Sequence, residues 1–219
     1  MHQAHRAPRA VVVASALAFA LAPAFARPPM DAELGAAVDL FVAGLRGSDA
    51  QKVRSAAALE RVVGQPAHAA DPLALAFYGA ATAQLAETTW LPWKKIRYAD
   101  QGVALLDRAL KGLAPGLETA PAGLTPAAQE VRYVAARVFL ALPSSYGRGQ
   151  QGEALLGQLL AGIDASAAPA DFKAGVCLLA GTHALDAARP EQARQLLQKA
   201  IDYRASPASG EAAAALAKR

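Results

Sequence analysis

Residues 171–204, DFKAGVCLLAGTHALDAARPEQARQLLQKAIDYR in one-letter code, decide the fold. They read as two helices, Asp171 to Arg189 and Pro190 to Arg204, with the break falling just before a proline. Ala and the straight-chain Leu, Gln, Lys and Arg dominate the stretch, and these are the residues that lose least on entering a helix. A single helix hairpin cannot bury both of its faces, so neighbouring hairpins must stack on it to complete a core.

The same punctuation recurs upstream. Asp31 to Arg46 carries Leu34, Val38, Phe41, Val42 and Leu45 at helical spacing. Ser48 and Gln51 form a capping box that starts a second helix running to about Val63, which Gly64-Gln65-Pro66 ends. Asp71-Pro72 places a capping carboxylate before a proline at the first helical position, opening a helix to about Thr88. Pro92 interrupts the chain within Trp90-Leu91-Pro92-Trp93, and a helix resumes from Lys94 with Ala99, Gly102, Val103, Leu106, Ala109, Leu110 and Leu113 on one face. A long break with Gly112, Pro115, Gly116, Pro121 and Gly123 follows. Thr125-Pro126 repeats the cap-plus-proline start, and that helix reaches about Leu142. Gly147 to Gly149 lead into a helix with Ala154, Leu155, Leu159 and Leu160, and Ser206-Pro207 begins a final, mostly Ala helix. Roughly a quarter of the chain is Ala, and β-branched and aromatic residues are sparse, so the composition favours helix throughout. The sequence thus predicts an all-α protein of four hairpins and a closing helix, arranged as a stack or as a closed bundle.

The 171–204 pair resembles a tetratricopeptide repeat. Gly181 stands at the small position of the first helix, Ala193 follows twelve positions later, and Leu197 and Ala200 fall at the third and fourth signature spacings. Gly79 with Gly102, Leu106 and Ala109 repeats the pattern across about eleven inserted residues, and Gly152-Glu153-Ala154-Leu155-Leu156 gives a degenerate third copy. Cys177 and Ala184 replace aromatic positions of the family, and the 34-residue spacing fails in the middle. The chain is therefore similar to an irregular, exported bacterial member of the tetratricopeptide-like superfamily. The resemblance implies a right-handed superhelix of antiparallel hairpins whose concave face holds a peptide or protein segment.

Residues 1–26 read as a secretory signal peptide. Arg6 and Arg9 form a basic start, Ala10 to Leu21 an uncharged apolar stretch, and Ala24-Phe25-Ala26 the small-x-small pattern that signal peptidase needs. An uncleaved anchor is the rival reading. Residues 27–219 then form one helical domain in the periplasm or outside the cell, with no membrane span after cleavage. Loss of Arg6 and Arg9 lowers the formal charge of +4 by two, and a nearly balanced chain is not the footprint of a nucleic-acid binder. With one cysteine, Cys177, no internal disulfide forms, and stability rests on packing.

Both tryptophans lie in Trp90-Leu91-Pro92-Trp93-Lys94-Lys95, with Arg97 and Tyr98 just beyond. Aromatic and cationic groups together mark partner hot spots and membrane interfaces, although the indoles would serve equally as packing mass against neighbouring helices. The 142–149 loop adds Tyr146 and Arg148, with glycines that bring N–H groups towards an anion; the plainer reading is a turn ending in an Arg. Both loops follow the first helix of a pair, so they can share one edge. Catalysis and metal binding find little support. Cys177, His183 and Asp186 are badly phased for a dyad, and His68 and His183 lack ligand spacing. Asp100 and Asp107 read as a solvated helix face. The expectation is a non-enzymatic adaptor or scaffold without a cofactor, binding protein or peptide through Trp90, Trp93, Lys94, Lys95, Tyr146 and Arg148. The alternative is a soluble component of an envelope transport or export system that binds a small ligand or lipid.

Overall fold

Side-chain caps set the first three helix starts. In the computed structural model, which describes residues 30–121, 123–203 and 207–217, Asp31 opens α1 (Ala32–Gly44), its Oδ1 accepting from Leu34 N–H at 2.8 Å. Ser48 N–H donates to Gln51 Oε1 at 2.8 Å at the start of α2 (Asp49–Val63). Asp71 accepts from Leu73 N–H at 2.9 Å, with Pro72 as the first residue of α3 (Pro72–Gln84); a 3-10 turn over Leu85–Thr88 extends it. These side chains satisfy amide donors that have no partner inside the helix.

Two of the starts that lie at a proline differ from the sequence reading. α4 (Pro92–Lys111) begins at Pro92 itself, two residues early, because a proline in the first turn forfeits no hydrogen bond. α5 (Ala127–Ala141) begins one residue later than a Thr125 cap would require. Pro126 occupies the capping position in an extended conformation, and Thr125 is fully buried. Then follow α6 (Gly149–Gly162), α7 (Ala170–Asp186), α8 (Pro190–Asp202) and α9 (Pro207–Ala217). Among the described residues every regular element is helical. None of these helices is long and apolar enough to cross a membrane. The signal-peptide reading of residues 1–26 and the Ser206 cap lie outside the described residues.

Consecutive helices pair most extensively: α1 with α2, α3 with α4, α5 with α6, α7 with α8, and α9 closes on α8 and α7. Beyond these pairs, sustained helix packing reaches only one or two helices along the chain, as in α2 on α3 and α3 on α5. The members of a pair differ in kind. α4 and α8 each bury one stripe, Ala99, Gly102, Val103, Leu106 and Ala109 in α4, and Ala193, Leu197 and Ala200 in α8. α3 and α7 are buried nearly all round.

Glycine sets the contact distance within the pairs. A Cβ on Gly102 would lie 2.6 Å from the Gly79 carbonyl and 2.7 Å from Ala83 Cβ, so α3 and α4 touch backbone to backbone. A Cβ on Gly181 would meet Leu197 at 2.7 Å, and one on Gly152 would meet Leu140 at 2.9 Å. The small residues singled out by their spacing are thus the crossing points of α3 with α4, α7 with α8, and α5 with α6. One apolar core runs from Leu34 in α1 to Ala180 in α7. A second, built on Ala174, Cys177, Leu178, Leu197, Ala200, Ala208 and Ala212, holds α7, α8 and α9 together.

Candidate functional site

The turn between α3 and α4 presents the tryptophans. Thr88 Oγ1 donates to Leu85 O at 2.9 Å, Leu91 N–H donates to Thr89 Oγ1 at 3.2 Å, and the Leu91 carbonyl accepts from Lys94 and Lys95 N–H at 3.1 Å each. Lys52 of α2 pairs with Glu87 at 2.7 Å and ties the base of the turn to the body. On this braced turn Trp90 is 83% exposed and Trp93 64%, and Ile96, one turn along, is 54% exposed. The indoles therefore stand in solvent and do not pack against neighbouring helices. Lys95 and Arg97 are exposed and Lys94 half-buried; Arg97 lies 5.7 Å from the Tyr98 ring centroid.

The 142–149 loop meets the same helix. Gly147 takes a left-handed turn (φ +64°), and Arg148 then donates to both carboxylate oxygens of Asp107, at 3.0 and 2.8 Å, and to Gln151 at 2.6 Å. Its guanidinium also lies 5.4 Å over the Phe139 ring. This Arg fastens α6 and α5 to α4, and Asp107 is its anchor instead of one charge on a wet face. Tyr146 is half-buried; burial and the nearby Asp100 push its phenol above the usual range. Asp100 and Asp107 lie seven and fourteen residues beyond Trp93, about 10 and 21 Å along a helix. The 142–149 loop thus meets α4 well beyond the tryptophan turn, and its Arg148 is engaged by Asp107.

Cys177 is fully buried in the second core, and burial lifts its thiol to about 11. His183 instead contacts Glu153 at 2.8 Å, and Arg189 joins the same carboxylate at 3.1 Å, which holds Glu153 below its ordinary range. His68 lies between two caps, 2.8 Å from Asp31 and 3.6 Å from Asp71. No group of three or more His, Cys, Asp and Glu among the described residues is arranged to hold a metal ion.

A third constellation joins helices far apart in the chain. Arg46, just past α1, pairs with Glu211 of α9 at 2.6 Å. On α5, Arg137 donates to Tyr133 Oη at 3.1 Å and lies 5.3 Å over its ring, while Phe172 of α7 meets the same ring edge-on at 5.4 Å. Burial raises the Tyr133 phenol; Arg137 opposes that shift, and Glu130 and Glu211 add to it. Arg46 and Glu211 thus join the end of α1 to α9, and the Glu211 charge reaches the buried Tyr133 phenol of α5, beside Arg137. Nothing in the sequence announces it, because these residues share no motif and converge only through the path of the chain. Comparison with family models, curated proteins and solved structures returned no match for this chain.

Proposed function

We propose that the hairpins stack as a right-handed tetratricopeptide-like superhelix, and that the protein is a non-enzymatic periplasmic adaptor or scaffold. A protein or peptide segment is held on the inner side of the curve. The observation that carries this reading is the Arg46–Glu211 pair. Four steps of roughly 8–10 Å lead from α1 through α3, α5 and α7 to α9, so a straight stack would hold its ends about 30–40 Å apart. A 2.6 Å ion pair between those ends supports a stack that bends round, the closed bundle being the other arrangement that would bring them together. The inner side then offers Arg46, Arg137 and Glu211, charges of both signs above the buried Glu130 and Tyr133, and suits a peptide with polar and charged groups. This moves the main partner face from the tryptophan edge to the inner helices.

A photo-crosslinking residue in place of Arg137, compared in cells with one in place of the outward Glu191 of α8, tests the reading. A discrete crosslinked partner at 137 and none at 191 is expected; crosslinks at 191 alone would overturn it. A small ligand or lipid within the helices is the second reading. It draws on Gln84, which is 1% exposed and whose Oε1 has no hydrogen-bond partner among the described residues. A retained extra mass in native mass spectrometry of gently purified protein decides for it.

A further inference from the structure

We infer that the Trp90–Arg97 edge is a docking surface for an anionic lipid bilayer, separate from the inner face that takes the partner segment. Large apolar side chains rarely stand this free of a folded surface, and here three occur within seven residues: Trp90, Trp93 and Ile96. Trp93 and Ile96 are neighbours on one helix face, and Trp90 projects from the braced turn just before it.

The charges point the same way. Between Glu87 and Asp100 the chain carries Lys94, Lys95 and Arg97 and no acid, and Glu87 is already paired with Lys52. Other bases of this protein meet carboxylates, as in Arg46–Glu211, Arg132–Glu118, Arg148–Asp107 and Lys199–Asp164. Among the described residues Lys94, Lys95 and Arg97 enter no ion pair. They also crowd the first turns of α4, where the helix dipole is positive and cations are disfavoured. Helix stability does not explain this placement; an external anion does.

The shape selects a bilayer over a protein. Two projecting indoles would need two matching pockets on a protein, whereas the headgroup region accepts tryptophan at any lateral position while lysines meet lipid phosphates. Contact of this kind is shallow and reversible, in keeping with a helix that lies against the interface.

The chain's two tryptophans are both in this edge, so selectively excited tryptophan fluorescence reports it alone. The chain from Arg27, which contains every described element and lacks the apolar stretch 10–21, is mixed with phosphatidylcholine vesicles, with and without phosphatidylglycerol. Vesicles containing phosphatidylglycerol are expected to shift the emission to the blue, to allow quenching by brominated acyl chains, and to sediment the protein. Each cation near an anionic surface is worth roughly fivefold in partitioning, so Lys94→Glu with Lys95→Glu should weaken binding by more than about twentyfold. Trp90→Ala with Trp93→Ala should abolish sedimentation with an unchanged helical circular dichroism spectrum, since neither ring is packed. No shift or sedimentation with anionic vesicles, equal binding to neutral ones, or full binding by the charge-reversed chain would overturn the inference. So would an equal blue shift with an acidic polypeptide in place of vesicles. None of these outcomes bears on the crosslinks at 137.

Discussion

Arg148 joins three elements through one guanidinium, with Asp107 of α4 in a two-point clasp, Gln151 of α6 beside it and Phe139 of α5 beneath it. Both charged side chains are about three-tenths exposed, so the pair is neither bare nor sealed. Its geometry places it at the upper end of surface pairs, and a double-mutant cycle of Arg148→Ala and Asp107→Ala should give a coupling of about 1 kcal/mol in urea unfolding. A coupling near zero would mean the clasp is ornamental. Four carboxylates elsewhere in the molecule are held low by their partners: Asp31 chiefly by the Leu34 amide, Glu118 by Arg132, Glu153 by His183 and Asp164 by Lys199. Each has a folded pKa below its unfolded value. The stability they supply is therefore full above the ordinary carboxylate range and is lost as pH falls through the folded values. The urea midpoint should stay level from neutrality to about pH 5 and fall below about pH 4. Capping by Asp71 was legible because cap and helix are adjacent in sequence. The role of Arg148 was not, because its anchor lies 41 residues away among Arg108 and Lys111, where a carboxylate looks solvated.

Helix pairs meet where a residue has no side chain to hold them apart. Replacing Gly102 by Ala would set a methyl group 2.6 Å from the Gly79 carbonyl and 2.8 Å from the Ala83 amide nitrogen, both backbone atoms that cannot swing away. α4 would have to move off α3, and overpacking of this kind costs about 1–3 kcal/mol, here expected at the upper end. Gly157 offers the opposite case on α6, where an added Cβ meets nothing within 4 Å. There Ala should stabilise by about 0.5–1 kcal/mol, because only the helix propensity changes. Thermal melts of the two variants should shift in opposite directions; a stabilising Gly102→Ala would show that the crossing is looser than its geometry. Small residues at fixed offsets are a local signal, which is why the pairing could be read from the chain. Helix starts at Pro92 and Pro126 slipped by one or two residues, since a proline fits both the first helical position and the extended residue before it. Which helices of a pair would be enclosed was visible only as a dearth of polar residues in Leu73–Gln84.

The molecule has two apolar cores of unequal quality, and α7 belongs to both. The first is filled with large side chains such as Phe41, Leu59, Leu106, Phe139 and Phe172. At the C-terminal end, α9 contributes only Ala208 and Ala212 as fully buried residues, against Cys177, Leu197 and Ala200. A buried methyl group brings about 0.8 kcal/mol and a buried Leu or Phe about 1.5–3 kcal/mol, so α9 is held by far less than the helices it covers. Partly buried Ala215 and Leu216, the hydrogen bond of Ser209 to the Ala200 carbonyl and the half-exposed pair Glu211–Arg46 add to these contacts. Where helices touch mainly their neighbours in the chain, such an end opens without unfolding the rest. Cys177 reports that opening, because its thiol is fully buried and shifted to about 11 when α9 is closed. A thiol reagent at neutral pH should label it slowly, at denaturant concentrations where far-ultraviolet circular dichroism is still native, and with a weaker denaturant dependence than global unfolding. Ala212→Asp, which places a charge in the closed seam, should speed labelling by at least about tenfold while the main helical transition stays nearly in place. Labelling that tracks the global transition step for step would instead make the two cores one cooperative unit, and α9 as firmly fixed as α3.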